Sequence, residues 1–221
     1  MNILVIAPHP DDEVLGCGGV MARHVAAGDK VHVLVVTTGH ADHFSAEEVG
    51  IVKNECRQAH ALLGVAKTIH LDFPAPLLDT LPGCRLASAV REVIRQIRPT
   101  MIYFPFEDDL HSDHRAVFLA TMVASRPLDD SAVAVLLNYE TRSETDWAPP
   151  KNGSVFIPQK YVDIEAHLDI KLEAMQCYRS QLKEYPHPRS LHGLKALAEF
   201  RGSTVRMKAA EAFSVIRELA F

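Results

Sequence analysis

Four apolar, β-branched runs, each followed by a helical stretch, constrain this chain more than any other feature. Asn2 to Ala7 is a continuous apolar run ending in a polar turn, after which Glu13 to Ala27 repeats Val14, Leu15, Val20, Met21 and Val25 at helical intervals. Gly28 and Asp29 stop that helix, and Lys30 to Thr38 (KVHVLVVTT) predicts a second buried strand. Glu47 to Leu63 predicts a helix closed by Gly64, Lys67 to Leu71 a short strand, Arg85 to Ile97 a helix ended before Pro99, and TMIYFP a fourth strand. Such alternation needs right-handed crossovers and covers both faces of a sheet with helices. The fold class it predicts is α/β: a Rossmann-like, doubly wound, mostly parallel sheet with an elaborated C-terminal region.

Ala132 to Asn138 reads as a fifth strand, beyond which the rhythm changes. Val155 to Ile157 suits a strand, Asp163 to Tyr178 a helix, and residues 193–220 one or two more helices. With no repeat or linker in view, one domain is expected over residues 1–221, a core over 1–138 and an elaboration over 139–221 packed on it.

The 23 basic and 28 acidic residues give a net charge of −5 without a basic stripe, which argues against a nucleic-acid partner and for a small-molecule one. No stretch approaches the ~20 apolar residues of a membrane span, and MNILVIAP lacks the basic start of a signal peptide, so a cytoplasmic setting is expected. Cys17, Cys56, Cys84 and Cys177 form no C-x-x-C pair and read as buried thiols of a reducing compartment. Nothing here opposes assembly into a homo-oligomer.

Two polar segments fall at predicted strand ends: His9-Pro10-Asp11-Asp12-Glu13 after the first strand and His111-Ser112-Asp113-His114 after the fourth. In the usual doubly wound order these strands flank the switch point, where ligands bind beyond the strand ends. Imidazole plus carboxylate suits zinc, or another divalent transition metal, better than magnesium or calcium. Helix capping accounts for one carboxylate of HPDDE, but not for two with a histidine and a stiff Pro10. His40-Ala41-Asp42-His43 repeats the H-x-D-H pattern after the second strand, so spacing alone leaves two candidates for the second ligand segment. The glycines of GCGG (Gly16 to Gly19) do not complete G-x-G-x-x-G and suit close packing.

APHPDDEVLGCGG together with HSDH resembles the PIG-L or LmbE-like zinc de-N-acetylases, marked by A-H-P-D-D-E and a later H-x-D-H. AHALLGV, NYETRSETDW, YPHPRS and AEAFSVIR extend the resemblance over nearly the whole chain. Pro8 replaces the usual alanine, and Val52 and Lys53 stand where many members carry an arginine before Glu55.

The resemblance implies Zn²⁺ held by His9, Asp12 and His114, with Asp11 the ionised base beside it. His111, as imidazolium, would stabilise the oxyanion or protonate the leaving amine, and Asp113 would orient a histidine. Arg189 and Trp147 are candidate substrate contacts, with Asp42 and His187 at the rim. The implied activity is hydrolysis of the N-acetyl group of an amino sugar, as a free glycoside, nucleotide sugar or related conjugate. The alternatives are another amide or ester at the same metal site, or a nucleotide-sugar-binding module without catalysis.

Overall fold

The computed structural model describes residues 1–128, 133–150 and 155–220. Its sheet has seven strands in the order β3-β2-β1-β4-β5-β7-β6. The first five are β1 (Asn2–Ala7), β2 (Lys30–Gly39), β3 (Lys67–Ala75), β4 (Met101–Pro105) and β5 (Val135–Tyr139), all parallel. Their connections carry α1 (Asp12–Ala26), α2 (Ala46–Leu63), α3 (Gly83–Ile97) and α4 (Ser112–Ala124). Later in the chain come β6 (Lys160–Asp163), α5 (Leu168–Cys177), α6 (Leu191–Ser203) and β7 (Ala210–Glu218).

Because successive strand side chains point to opposite faces, β1 feeds two cores. Ile3 and Val5 join a cluster with α1, α2, α5 and α6, whereas Leu4 and Ile6 join one with α3 and α4. The doubly wound arrangement expected from the alternation is therefore present, and the switch point lies between β1 and β4.

Several boundaries differ from the sequence reading. β3 runs on through Phe73, Pro74 and Ala75; as an edge strand it tolerates a proline that lacks a ladder donor. The helix expected over Asp163 to Tyr178 starts only at Leu168, preceded by β6 and a 3₁₀ turn, and no strand forms at Val155 to Ile157. The last stretch, read as helical, contains α6 and then β7, which runs antiparallel to both β5 and β6. Its Ala- and Glu-rich start favours helix locally, but two strand edges are open to it and pairing overrides propensity. Ala132, where the fifth strand was expected to begin, is outside the described residues. Cys17 and Cys56 are buried as expected, Cys84 is exposed and Cys177 half-buried.

The glycines of α1 do serve close packing. A Cβ on Gly16 would lie 2.3 Å from the Tyr139 ring, and one on Gly19 2.7 Å from Ile164. Lys171 and Glu211 also reach this helix, as a buried ion pair 2.5 Å long. Lys171 donates to the Leu15 carbonyl, and Glu211 accepts the N–H groups of Gly19 and Val20. α5 and β7 are thus tied to the middle of α1.

Candidate active site

The turn after β1 is tethered to β2, since the Pro8 carbonyl accepts both the N–H and the hydroxyl of Thr37. Asp11 then takes a left-handed conformation, φ 112°, costly for a residue with a Cβ, and its side chain makes no cap bond. Glu13 holds it there by accepting the Asp11 N–H at 3.1 Å. The other Glu13 oxygen accepts the Tyr178 hydroxyl at 2.6 Å and meets His60 Nε2 at 3.1 Å, while His60 Nδ1 meets the Thr68 hydroxyl. Burial disfavours a proton on His60, but Cys56 and Glu13 outweigh it and raise its pKa to about 10.

His9, Asp12 and His114 come together across the switch point, their donor atoms all within 4.8 Å of one another. Asp12 Oδ2 lies 3.3 Å from His9 Nδ1 and 3.2 Å from His114 Nε2. The outward nitrogens are taken by carboxylates: His9 Nε2 by Asp113 at 2.9 Å, His114 Nδ1 by Asp109 at 2.8 Å. Asp113 is itself fixed by the Leu78 N–H and Asp109 by the Thr145 hydroxyl. Asp12 Oδ1 and His114 Nε2 are buried and have no hydrogen-bond partner.

The electrostatics match a cation-seeking site. Burial disfavours charge on His9 and His114, yet the surrounding carboxylates raise their pKa values to about 9 and about 10. Burial would raise Asp12, but His114 and His9 hold its carboxyl well below the usual range. A cation among these donors takes over the role that protons otherwise play.

Asp11 and His111 stand beside the cluster. Burial pushes the Asp11 carboxyl up to about 8 against the opposing Arg189, so it is not the firmly ionised group expected from sequence. His111 departs from expectation too. Burial and the neighbouring His9 and His114 depress its pKa to about 4, a shift toward the neutral imidazole and away from the expected imidazolium. Its Nδ1 accepts the Asp113 N–H, which leaves Nε2 to carry the proton.

Arg189 reaches this cluster, but its donors go to the protein: Asp11 at 3.0 Å, Ser143 at 2.8 Å and Glu144 at 3.2 Å. With His9, Asp11 and His111 it lines a cleft of about 380 Å³. Asp42, Trp147 and His187 do not line that cleft. The Asp42 side chain is 80% exposed beside His40, and Trp147 packs edge-on against His187 on the surface. Among the described residues, His40 and His43 join no metal-capable group, so the choice between the two H-x-D-H segments falls to His111–His114.

Sequence reasoning missed Asp109, Glu144, His60 and Tyr178, and gave Glu13 only a helix-start role. Asp109 left a faint signal, an acid five residues before His114; Tyr178 left none.

Residues 4–125, which carry every member of the donor cluster, match the family model described as GlcNAc-PI de-N-acetylase, PIG-L. The chain belongs to the PIG-L family. It is similar to the uncharacterized deacetylase YaiS of Escherichia coli (strain K12), 33% identical over 81% of this chain and 91% of that protein. It is 29% identical to the diacetylchitobiose deacetylase of Thermococcus kodakarensis, covering 83% of this chain and 71% of the other. Among solved structures it resembles the conserved protein TT1542 from Thermus thermophilus, with a TM-score of 0.80, 27% identity and coverage of 99% and 96%. The PIG-L match and this likeness agree with the α/β fold described above. No helix among the described residues is long and apolar enough to cross a membrane.

Proposed function

We propose that this PIG-L family member is a metal-dependent hydrolase that removes the acetyl group from an N-acetylated amino sugar, working as one domain in the cytoplasm. One observation carries the reading: two buried polar atoms, Asp12 Oδ1 and His114 Nε2, have no hydrogen-bond partner where three ligand-type side chains converge. Buried polar atoms without partners are costly, and a cation is what this donor set would satisfy. His9, Asp12 and His114 would hold it, and two imidazoles with one carboxylate favour Zn²⁺ or a similar transition ion. The diacetylchitobiose deacetylase among the relatives supports an N-acetyl sugar as substrate.

When bound, such an ion supplies Lewis acidity toward an amide carbonyl and makes a water molecule acidic near neutral pH. The chain's own residues supply the rest. Asp11, beside the cluster, takes the proton of the attacking water and returns it to the leaving amine. Arg189 and the Glu13-held backbone keep that carboxyl aimed at the cluster. His111 offers its Nε2 hydrogen to the oxyanion as a neutral donor, and Asp113 and Asp109 fix the two ligand imidazoles.

The test pairs metal content with acetate release from N-acetyl sugars. Asp11→Asn should keep its metal and lose about 10²- to 10⁴-fold in rate. His114→Ala should lose metal, and His43→Ala should retain it. Full activity in Asp11→Asn, or unaltered metal content in His114→Ala, would sink the assignment.

A further inference from the structure

The first half of α2 is built differently from the second. Its buried positions are Glu55, Cys56, Ala59, His60 and Leu63, so no residue of 46–54 is fully buried, and within that stretch Val49 and Val52 are half-buried and the rest exposed. Val49, Ile51 and Val52 on that half, Phe44 from the turn before it and Pro76 all line the cleft that His9 and Asp11 also line. Phe44 is 42% and Ile51 45% exposed. Phe44 is nonetheless held in place: its ring lies over Gly39, where a Cβ would approach it to 2.8 Å.

The charged groups on this wall are already engaged. Glu48 accepts the N–H and hydroxyl of Ser45, each at 2.8 Å, and Lys53 pairs with Asp72 at 2.9 Å. Burial lowers the pKa of His70, which keeps it neutral. An anionic group placed here would meet the Glu48 carboxylate, and among the described residues lining the cleft the two cations, Lys53 and Arg189, are already in ion pairs. A cleft of about 380 Å³ lies within the roughly 300–1,000 Å³ of small-molecule sites, which leaves room for a sugar ring and a substituent.

We propose that the substrate is an N-acetylated amino sugar whose glycosidic substituent is an uncharged alkyl or aryl group lying along the Phe44 to Val52 wall. This deepens the function proposed above and rests on it. The catalytic residues take the amide and the first half of α2 takes the apolar substituent, which separates this chain from enzymes of phosphate-bearing sugars.

The experiment uses methyl, propyl and hexyl glycosides of N-acetylglucosamine, with UDP-N-acetylglucosamine as the charged comparison. Full burial of a methylene gives roughly fourfold in affinity, and on a half-open wall about twofold remains. The metal-loaded enzyme should then gain roughly 30-fold in kcat/KM from methyl to hexyl, mostly through KM. Ile51→Glu and Phe44→Ala should flatten the series. A flat series in the wild type overturns the proposal, because the wall then serves the sugar alone; so does a preference for the diphosphate sugar. Calorimetry on Asp11→Asn separates the two readings. If no glycoside releases acetate, the deacetylase reading fails, and tighter binding of the hexyl than of the methyl glycoside still supports the apolar wall. Equal binding overturns it.

Discussion

Asp109 shows how a residue outside the proposed ligand set governs one within it. Its carboxylate accepts a hydrogen bond from His114 Nδ1 at 2.8 Å in a fully buried setting, which fixes the imidazole so that Nε2 faces Asp12. Asp109→Ala leaves that N–H without an acceptor, and metal affinity should fall about 10- to 100-fold, read by titration against a competing chelator. The polar segments His9–Glu13 and His111–His114 were legible as candidates because they sit at strand ends, whereas the set His9, Asp12 and His114 was implied by the family resemblance, since spacing alone left His40–His43 open. Asp109, Glu144 and Tyr178 were not legible, since each works through a partner set by folding: Tyr178 reaches Glu13 across 165 positions. Arg189, expected as a candidate substrate contact, does line the cleft, but nothing local in the sequence shows that it also pairs with Asp11 and Glu144. Asp42 was misread because an H-x-D-H spacing says nothing about whether its loop folds inward.

Elements that follow a strong period were read correctly in kind, and α1 is instructive because it is buried along most of its length. Its glycines admit Tyr139 and Ile164, while its middle turn is gripped by Lys171 and Glu211. Removing one partner of a buried ion pair strands the other charge. Lys171→Met should therefore cost about 3 kcal/mol or more in chemical denaturation. Adding Glu211→Gln should restore part of that loss while keeping an acceptor for the α1 backbone, which a double-mutant cycle would measure. β7 was missed for the converse reason: its local residues favour helix, and its strand state is imposed by β5 and β6.

At the scale of the whole molecule, the donor cluster joins the two halves of the parallel sheet at the β1–β4 switch point. A bound cation should therefore act as a fold-wide clamp. At a hundredfold excess over its dissociation constant it adds about 2.7 kcal/mol, or about 5–10 °C in Tm for a chain of this size. Calorimetric scans with and without chelator check this, and an unchanged Tm would mean no cation binds there. The doubly wound core was legible because alternating periods leave few topologies, whereas the order β5-β7-β6 was not. That order has a consequence for synthesis on the ribosome. β5 emerges some seventy residues ahead of β7, roughly four to fifteen seconds at typical elongation rates. Throughout that interval Leu136, Leu137 and Tyr139 line a raw sheet edge, the kind that recruits wrong strands from other chains. A nascent chain stalled before residue 210 is thus a client for chaperones, and translation speed through this stretch becomes a determinant of soluble yield.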